Sequence, residues 1–205
     1  MTDQLAAFEK RCQAFFKSLW PGEEKVLVFG RGLSAQPKLM LIGEAPGEQE
    51  VLQGQPFVGK AGKNLTAFLQ GVGLEREEIY ITNAVKIRPT RLSPAGRMVN
   101  RPPTREEIGL FHPYLMEEIA LVKPRRIVTL GNVALKALCG DKVLIGQCHG
   151  RDTLCQVMAP KGQMEQLPLF PLYHPASVIY NPGLKAVYEA DLAALWRILE
   201  QEASI

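Results

Sequence analysis

The sequence predicts a three-layer α/β/α protein built on a mostly parallel central sheet. Three observations carry this. The runs Leu39 to Ile42, Ile79 to Thr82 and Arg126 to Leu130 are dominated by apolar and β-branched residues, the mark of strands buried on both faces. Segments with apolar residues three and four apart lie between and around them, the mark of helices with one buried side. Each run is followed by Gly43, Asn83 or Gly131, residue types that end a strand and open a turn. Strands alternating with helices pair in parallel, because the helical crossover returns the chain to the same end of the sheet.

Taken in order, residues 2 to 19 read as an amphipathic helix with Leu5, Phe8, Cys12, Phe15, Phe16 and Leu19 inward, ended by Pro21-Gly22. Val26 to Phe29 is expected as a short strand at the sheet edge, and Gly30 to Pro37 as a loop. After the strand Leu39 to Ile42 come Gly43, Glu44, Ala45, Pro46 and Gly47, then Glu48 and Glu50. Acids at the carboxyl end of a buried strand stand where open α/β sheets place ligands. Gln53 to Gly62 is expected as a loop; its glycines admit close backbone approach, and Phe57 offers a flat face. Asn64 to Gln70 follows as a helix with Leu65, Phe68 and Leu69 on one side. Leu74 to Glu78 is a polar turn, and the next strand delivers Asn83 at its end.

From Lys86 to Arg105 the chain carries Lys86, Arg88, Arg91, Arg97, Arg101 and Arg105, and no acid before Glu106. Pro89, Pro94, Pro102 and Pro103 with Gly96 exclude a helix, so this reads as a proline-rich basic loop. Such a loop is either a phosphate-contacting surface or a solvated segment. Thr104 with Glu107 forms a capping box for a helix to about Val122, closed by Pro124. Gly131-Asn132 opens a helix to Cys139-Gly140. Between Val143 and Gln166, short strands are expected around Cys155 to Met158, with a polar turn near Lys161-Gly162. Pro168 to Tyr173 is extended and ends in His174-Pro175-Ala176-Ser177. Leu184 to Glu200 is a last helix with Val187, Leu192, Leu195, Trp196 and Ile198 inward.

Composition bounds the function. With 205 residues and 46% hydrophobic composition, the natural expectation is one domain, 1–205, with its own core. A net charge of +3 permits a nucleic-acid partner without requiring one. No run is long and apolar enough for a membrane, and charges interrupt the N-terminal apolar positions, so neither a membrane partner nor an export signal is expected. The expected setting is a cytoplasm, with Cys12, Cys139, Cys148 and Cys155 as reduced thiols. No pair has C-x-x-C spacing, and Cys148-His149 with Cys155 lacks a nearby fourth ligand, so no metal site is expected. The dinucleotide and phosphate-loop glycine patterns are absent.

In a parallel sheet Glu44, Asn83 and His174 come to one edge, with Phe57 beside them. Carboxylates, an aromatic face, an amide and an imidazole suit a planar heterocycle: a ring stacks, an amide reads a donor–acceptor edge, and a histidine stabilises charge on a carbonyl oxygen. These motifs, Gly43 to Gly47 with Glu50, Pro56 to Gly62, Tyr80 to Asn83 and His174-Pro175-Ala176, resemble those of family 4 uracil-DNA glycosylases, in the same order. The resemblance extends from about Val28 to Ile198 and includes Lys86, Arg88-Pro89 and Asn100 to Pro103.

The resemblance implies a four-stranded parallel sheet in order 2-1-3-4 and hydrolysis of the bond between deoxyribose and uracil in DNA. It implies that Phe57 stacks on uracil, that Asn83 binds its polar edge, and that His174 stabilises charge on the O2. Glu44 and Glu50 position or activate water or stabilise the sugar cation, with Gly43, Ala45, Pro46 and Gly47 lining the pocket. Lys60, Lys86, Arg88 and Arg101 contact DNA, and Ser177, Val178, Ile179 and Tyr180 fill the gap left by the flipped base. The implied partner is uracil-containing DNA, and the protein is expected to be a monomer. The family's iron–sulfur cluster is expected to be absent. Cys12 stands at the first ligand position, but Phe15, Ile87 and Phe111 occupy the other three, and these side chains cannot ligate iron. A catalytically weak binding protein of the same fold is the alternative. An enzyme of free nucleosides is disfavoured, since a small substrate has no use for the basic loop.

Overall fold

The computed structural model describes residues 2–71, 73–158 and 163–203, except the side chains of Phe68 and Ala203. The helices are α1 (Asp3–Leu19), α2 (Glu48–Gln53), α3 (Lys60–Gly71), α4 (Arg105–Val122), α5 (Asn132–Cys139), α6 (Ile145–Cys148), α7 (Pro175–Tyr180) and α8 (Lys185–Ala203). The strands are β1 (Arg31–Gly32), β2 (Leu39–Gly43), β3 (Tyr80–Asn83), β4 (Thr90–Leu92), β5 (Met98–Asn100), β6 (Arg126–Leu130), β7 (Thr153–Met158) and β8 (Met164–Leu172).

The main sheet has six strands in the order β1-β3-β2-β6-β8-β7. The contacts β3–β2, β2–β6 and β6–β8 are parallel, while β1 and β7 pair antiparallel at the two edges. The sheet is therefore mixed and six-stranded, where a four-stranded parallel one was expected. The four strands that the resemblance implies leave out the two edges, of which β7 covers the strand expected around Cys155 to Met158. β1 has only two residues, and β7 joins β8 as a hairpin rather than through a helical crossover. Apolar residues alternate across the sheet. Met40 and Ile42 face a core with α1, α4 and α5, whereas Leu39 and Leu41 face one with α3 and α8. This alternation makes the three layers.

Several element expectations need correction. Val26 to Phe29 is not a strand; Val28 and Phe29 bury as coil, and Arg31–Gly32 holds the sheet edge. Glu48–Gln53, for which no element was expected, folds as α2, whose third residue, Glu50, accepts from the Gly47 N–H. The helix expected from Asn64 begins at Lys60. The proline-rich loop folds in part as the antiparallel hairpin β4–β5. α6 was not anticipated. In α1, Phe15 and Leu19 are exposed, although Phe15 leans on Tyr114; in α8, Val187 is exposed and Tyr188 and Leu199 are buried instead. The turn at Lys161-Gly162 and the side chain of Phe68 lie outside the described residues. Among the described residues, no helix is long and apolar enough to cross a membrane, and all four cysteines are free.

Candidate active site at the carboxyl ends of the parallel strands

The chain visits β2 and β3, then crosses to β6 and β8 on the other side of β2. The strand order thus reverses beside β2, and ligands bind where the order reverses, outside the carboxyl ends. Four residues stand there: Glu44 after β2, Asn83 closing β3, Gly131 after β6 and His174 after β8.

Gly43 sets how close these groups come. A Cβ there would collide with the Phe57 ring and with the Asn83 side-chain oxygen, so only glycine lets ring and amide meet over β2. The backbones beneath are joined, since Ala84 N–H donates to Gly43 O at 2.8 Å and Val85 N–H to Glu44 O at 3.0 Å. Phe57 is buried, and its ring centroid lies 5.8 Å from that of His174. Its φ of +55° is in the left-handed region, uncommon for a bulky residue and a mark of a position held by its surroundings.

Two side chains hold it. Arg76 donates to Phe57 O at 3.0 Å and to Pro56 O at 2.9 Å. Glu50 closes the other side. One carboxylate oxygen accepts from Val58 N–H at 3.0 Å and Gly59 N–H at 2.8 Å, while the second accepts from Gly47 N–H at 3.1 Å. Glu50, expected with Glu44 to position or activate water or to stabilise the sugar cation, is seen here in a positioning arrangement. Both oxygens are engaged by backbone donors, so Glu50 is a clamp joining the loop at Gly47 to the loop of Phe57. Glu44 is the free carboxylate: among the described residues its side chain makes no hydrogen bond or ion pair. Burial alone raises its pKa above the usual carboxylate value.

His174 caps α7. Its Nδ1 accepts from Ala176 N–H at 3.1 Å, which leaves Nε2 as the protonated nitrogen of the neutral ring. Burial lowers its pKa to about 4, with the Glu50 charge opposing part of that effect. The imidazole is therefore a neutral Nε2–H donor at pH 7, fixed in tautomer by its own helix.

Lys86 does not lie on the DNA-facing surface, and this corrects its expected role. Its side chain is 1% exposed and pairs at 2.5 Å with Glu118, which is 0% exposed. The ammonium also donates to Thr82 Oγ1 and to the backbone oxygen of Asn83, each at 2.7 Å. Glu118 accepts in addition from Thr82 and Tyr80. The pair lies directly beneath Asn83, which is itself 2% exposed. Arg76 and Glu118 were missed in the sequence because neither stands in a motif. Glu50 carried a readable signal, a glutamate three residues after the capping Gly47.

Of the other expected contacts, Lys60 is exposed at the start of α3. Arg88 donates to Asn100 at 2.7 Å and pairs with Glu48 at 3.3 Å, and Arg101 pairs with Glu107 at 2.7 Å. Ser177 to Tyr180 lie in α7; Val178 packs inward, while Ile179 and Tyr180 face solvent. A cavity of about 700 Å³ opens between α3, α7 and α8, lined by residues that include Val178, Leu192 and Trp196. It is mostly apolar, whereas the acid, amide and imidazole converge at the strand ends, which we take as the site.

Comparison with known proteins identifies the family of the chain. The pattern of the family described as "Uracil DNA glycosylase superfamily" matches residues 29–200. The chain is 36% identical over 194 residues to the "Type-4 uracil-DNA glycosylase" of Saccharolobus solfataricus, covering 92% of this chain and 82% of that one. It is 39% identical over 157 residues to that of Pyrobaculum aerophilum, covering 76% and 74%. The crystal structure of SMUG2 from Pedobacter heparinus superposes with a TM-score of 0.56 at 14% identity, over 83% of this chain and 77% of that one, a likeness of fold.

Proposed function

The chain belongs to the uracil DNA glycosylase superfamily, and on that footing we propose that it is a uracil-DNA glycosylase, cleaving the bond between deoxyribose and uracil as the first step of base excision repair. The observation that carries this reading is the meeting of the Asn83 amide and the Phe57 ring over Gly43, with the neutral His174 beside that ring. A base flipped from the duplex reaches such a site edge first, which is how a glycosylase gains access to its target bond.

In this reading uracil lies against Phe57 and hydrogen-bonds to the Asn83 side chain. As the bond from C1′ to the base nitrogen breaks, its electron pair moves onto uracil. The His174 Nε2–H donates to the oxygen where that charge collects. A neutral donor suits this task, since it stabilises charge without transferring its proton. Glu44, ionised, faces the sugar cation and takes the proton of the water that adds to C1′. Glu50 and Arg76 keep the stacking ring in place, and Lys86 with Glu118 holds the strand end that carries Asn83.

The reading includes no iron–sulfur cluster. The donor set supports this: Cys12 is alone among the four positions, and burial pushes its thiol up to about 12, away from the thiolate that iron requires. Phe111 is buried and stacks on Phe16 with centroids 4.6 Å apart, and Ile87 packs into the same core. Apolar packing at these two positions supports the reading. Protein purified anaerobically is expected to be colourless and free of stoichiometric iron, and absorbance near 420 nm with bound iron would reject this part of the reading. The groups of the site all come from one polypeptide, so the reading takes the functional unit as a monomer and residues 1–205 as one domain.

The test is excision from labelled oligonucleotides carrying uracil in single strands, opposite guanine and opposite adenine, with hypoxanthine and xanthine alongside. Uracil release is expected, and Asn83→Ala should lose most of it together with the preference for uracil, because the polar reading of the base is gone. Near-normal release by Asn83→Ala would remove that residue from the pocket.

A further inference from the structure

The hairpin β4–β5 stands away from both cores. Its strands pair Thr90 with Asn100, Arg91 with Val99 and Leu92 with Met98. Side chains alternate along a strand, so Thr90, Leu92, Met98 and Asn100 share one face, and Arg91 and Val99 share the other. Asn100 identifies the first face. Its amide lies beside Gly47 and accepts from Arg88 at 2.7 Å, so this face begins at the loop that lines the active site. Farther out on it, Leu92 is 65% exposed and Met98 54% exposed.

An isolated two-stranded hairpin is marginal in water, and the hydrogen bonds that fasten this one, among the described residues, lie at its base. There Arg101 donates to Thr90 O at 3.0 Å, and its backbone N–H donates to Pro89 O at 3.1 Å. The outer half carries an apolar pair and two cations. Arg91 and Arg97 are exposed and enter no ion pair among the described residues, whereas Arg88 and Arg101 at the base each pair with a carboxylate. No acid lies anywhere between Lys86 and Arg105.

We propose that the β4–β5 hairpin is a nucleic-acid-binding arm that enters a groove of duplex DNA beside the target nucleotide, with Leu92 and Met98 against sugars and base edges and Arg91 and Arg97 on the flanking phosphates. The inference rests on the glycosylase reading and adds an element to it. A two-stranded ribbon fits a major groove about 12 Å wide. There apolar side chains such as leucine and methionine meet base edges, the thymine methyl among them, and arginines without an ion-pair partner meet phosphate walls on either side. The arm is continuous with the site through Asn100 and Gly47, so a duplex engaged at one reaches the other.

The test measures duplex binding and cleavage separately. Leu92→Ser/Met98→Ser and Arg91→Ala/Arg97→Ala are compared with the unaltered protein for Kd on a duplex with uracil opposite guanine, across a salt series. Single-turnover excision is measured on that duplex and on a single strand too short to reach the hairpin. Both variants are expected to bind the duplex roughly tenfold more weakly, and the arginine variant should flatten the log–log salt slope by about 2. The loss of excision should be at least several-fold larger on the duplex than on the short strand. Unchanged Kd and salt slope in both variants would overturn the proposal, as would equal losses on the two substrates. Replacing Arg91 to Val99 by a short glycine–serine turn serves if the serine variant does not fold. If the unaltered protein binds DNA but releases uracil from no substrate, the glycosylase reading fails while the binding comparison still decides the role of the arm.

Discussion

At the scale of single residues, two ionisable groups of the site are expected to separate on a pH axis. Glu44 has its pKa raised by burial and His174 has its pKa lowered to about 4. Glu44 must be ionised to act, so the acid limb of the single-turnover rate should fall through the raised Glu44 pKa, before His174 gains a proton. Glu44→Gln should abolish that limb along with most of the rate. It should also stabilise the fold above that pKa by about 1 kcal/mol or less, since a buried charge is removed. His174→Ala should slow excision by roughly 10² to 10³, the cost of one oxyanion donor; an unchanged rate would assign His174 to structure. The sign for stability is opposite to that of Glu44. His174 has a folded value near 4 against an ordinary 6.5, so its contribution is present above 6.5 and lost as pH falls toward 4. Chemical denaturation of the wild type and His174→Ala between those values measures the difference.

The pair Lys86 and Glu118 belongs to the same scale. Lys86→Met alone leaves a buried carboxylate unpaired and should cost about 3–5 kcal/mol of stability. Lys86→Met with Glu118→Leu should recover much of that, because well-packed apolar residues often replace a buried pair without loss. The double variant still lacks the donor to the Asn83 carbonyl, so its uracil discrimination should fall although it folds. Denaturation curves beside excision of uracil and hypoxanthine separate the two effects. A double variant with full selectivity would reduce the pair to packing.

At the scale of elements, the loop carrying Phe57 is the piece whose shape is imposed from outside. Arg76→Ala removes two charged hydrogen bonds to that loop and should cost about 1–3 kcal/mol. The ring would then sample positions off the base, so KM should rise while the rate at saturation falls less. Steady-state kinetics on a single-stranded substrate checks this. The sequence foretold this loop's glycines and aromatic ring but not its supports, since Arg76 and Glu118 acquire their roles only when distant segments meet. Strands buried on both faces were legible because their apolar content is nearly continuous. The edges were not: a two-residue β1 gives no periodic signal, and exposed hairpin strands such as β4 and β5 carry polar and proline residues that read as loop.

At the scale of the whole molecule, the reversal of strand order beside β2 brings Glu44, Asn83 and His174 from residues far apart to one edge. The sequence foretold that gathering from the ends of its apolar runs. It misplaced Lys86, because a lysine inside a basic stretch reads as surface until Glu118 is seen opposite it in the interior. Phe16, Trp20 and Phe111 stack where α1 meets α4. These two helices of one layer are thus joined through aromatic contact.

The clamp made by Glu50 bears on what DNA finds on arrival. The Gly47, Val58 and Gly59 amides lie outside any helix or strand, yet each donates a hydrogen bond to one carboxylate. Loop amides ordinarily trade with deuterium quickly. These three should trade slowly and together, because a single opening releases all of them. Their common exchange rate is a clock for the pocket itself, legible in the free protein before any base has been turned out of a helix.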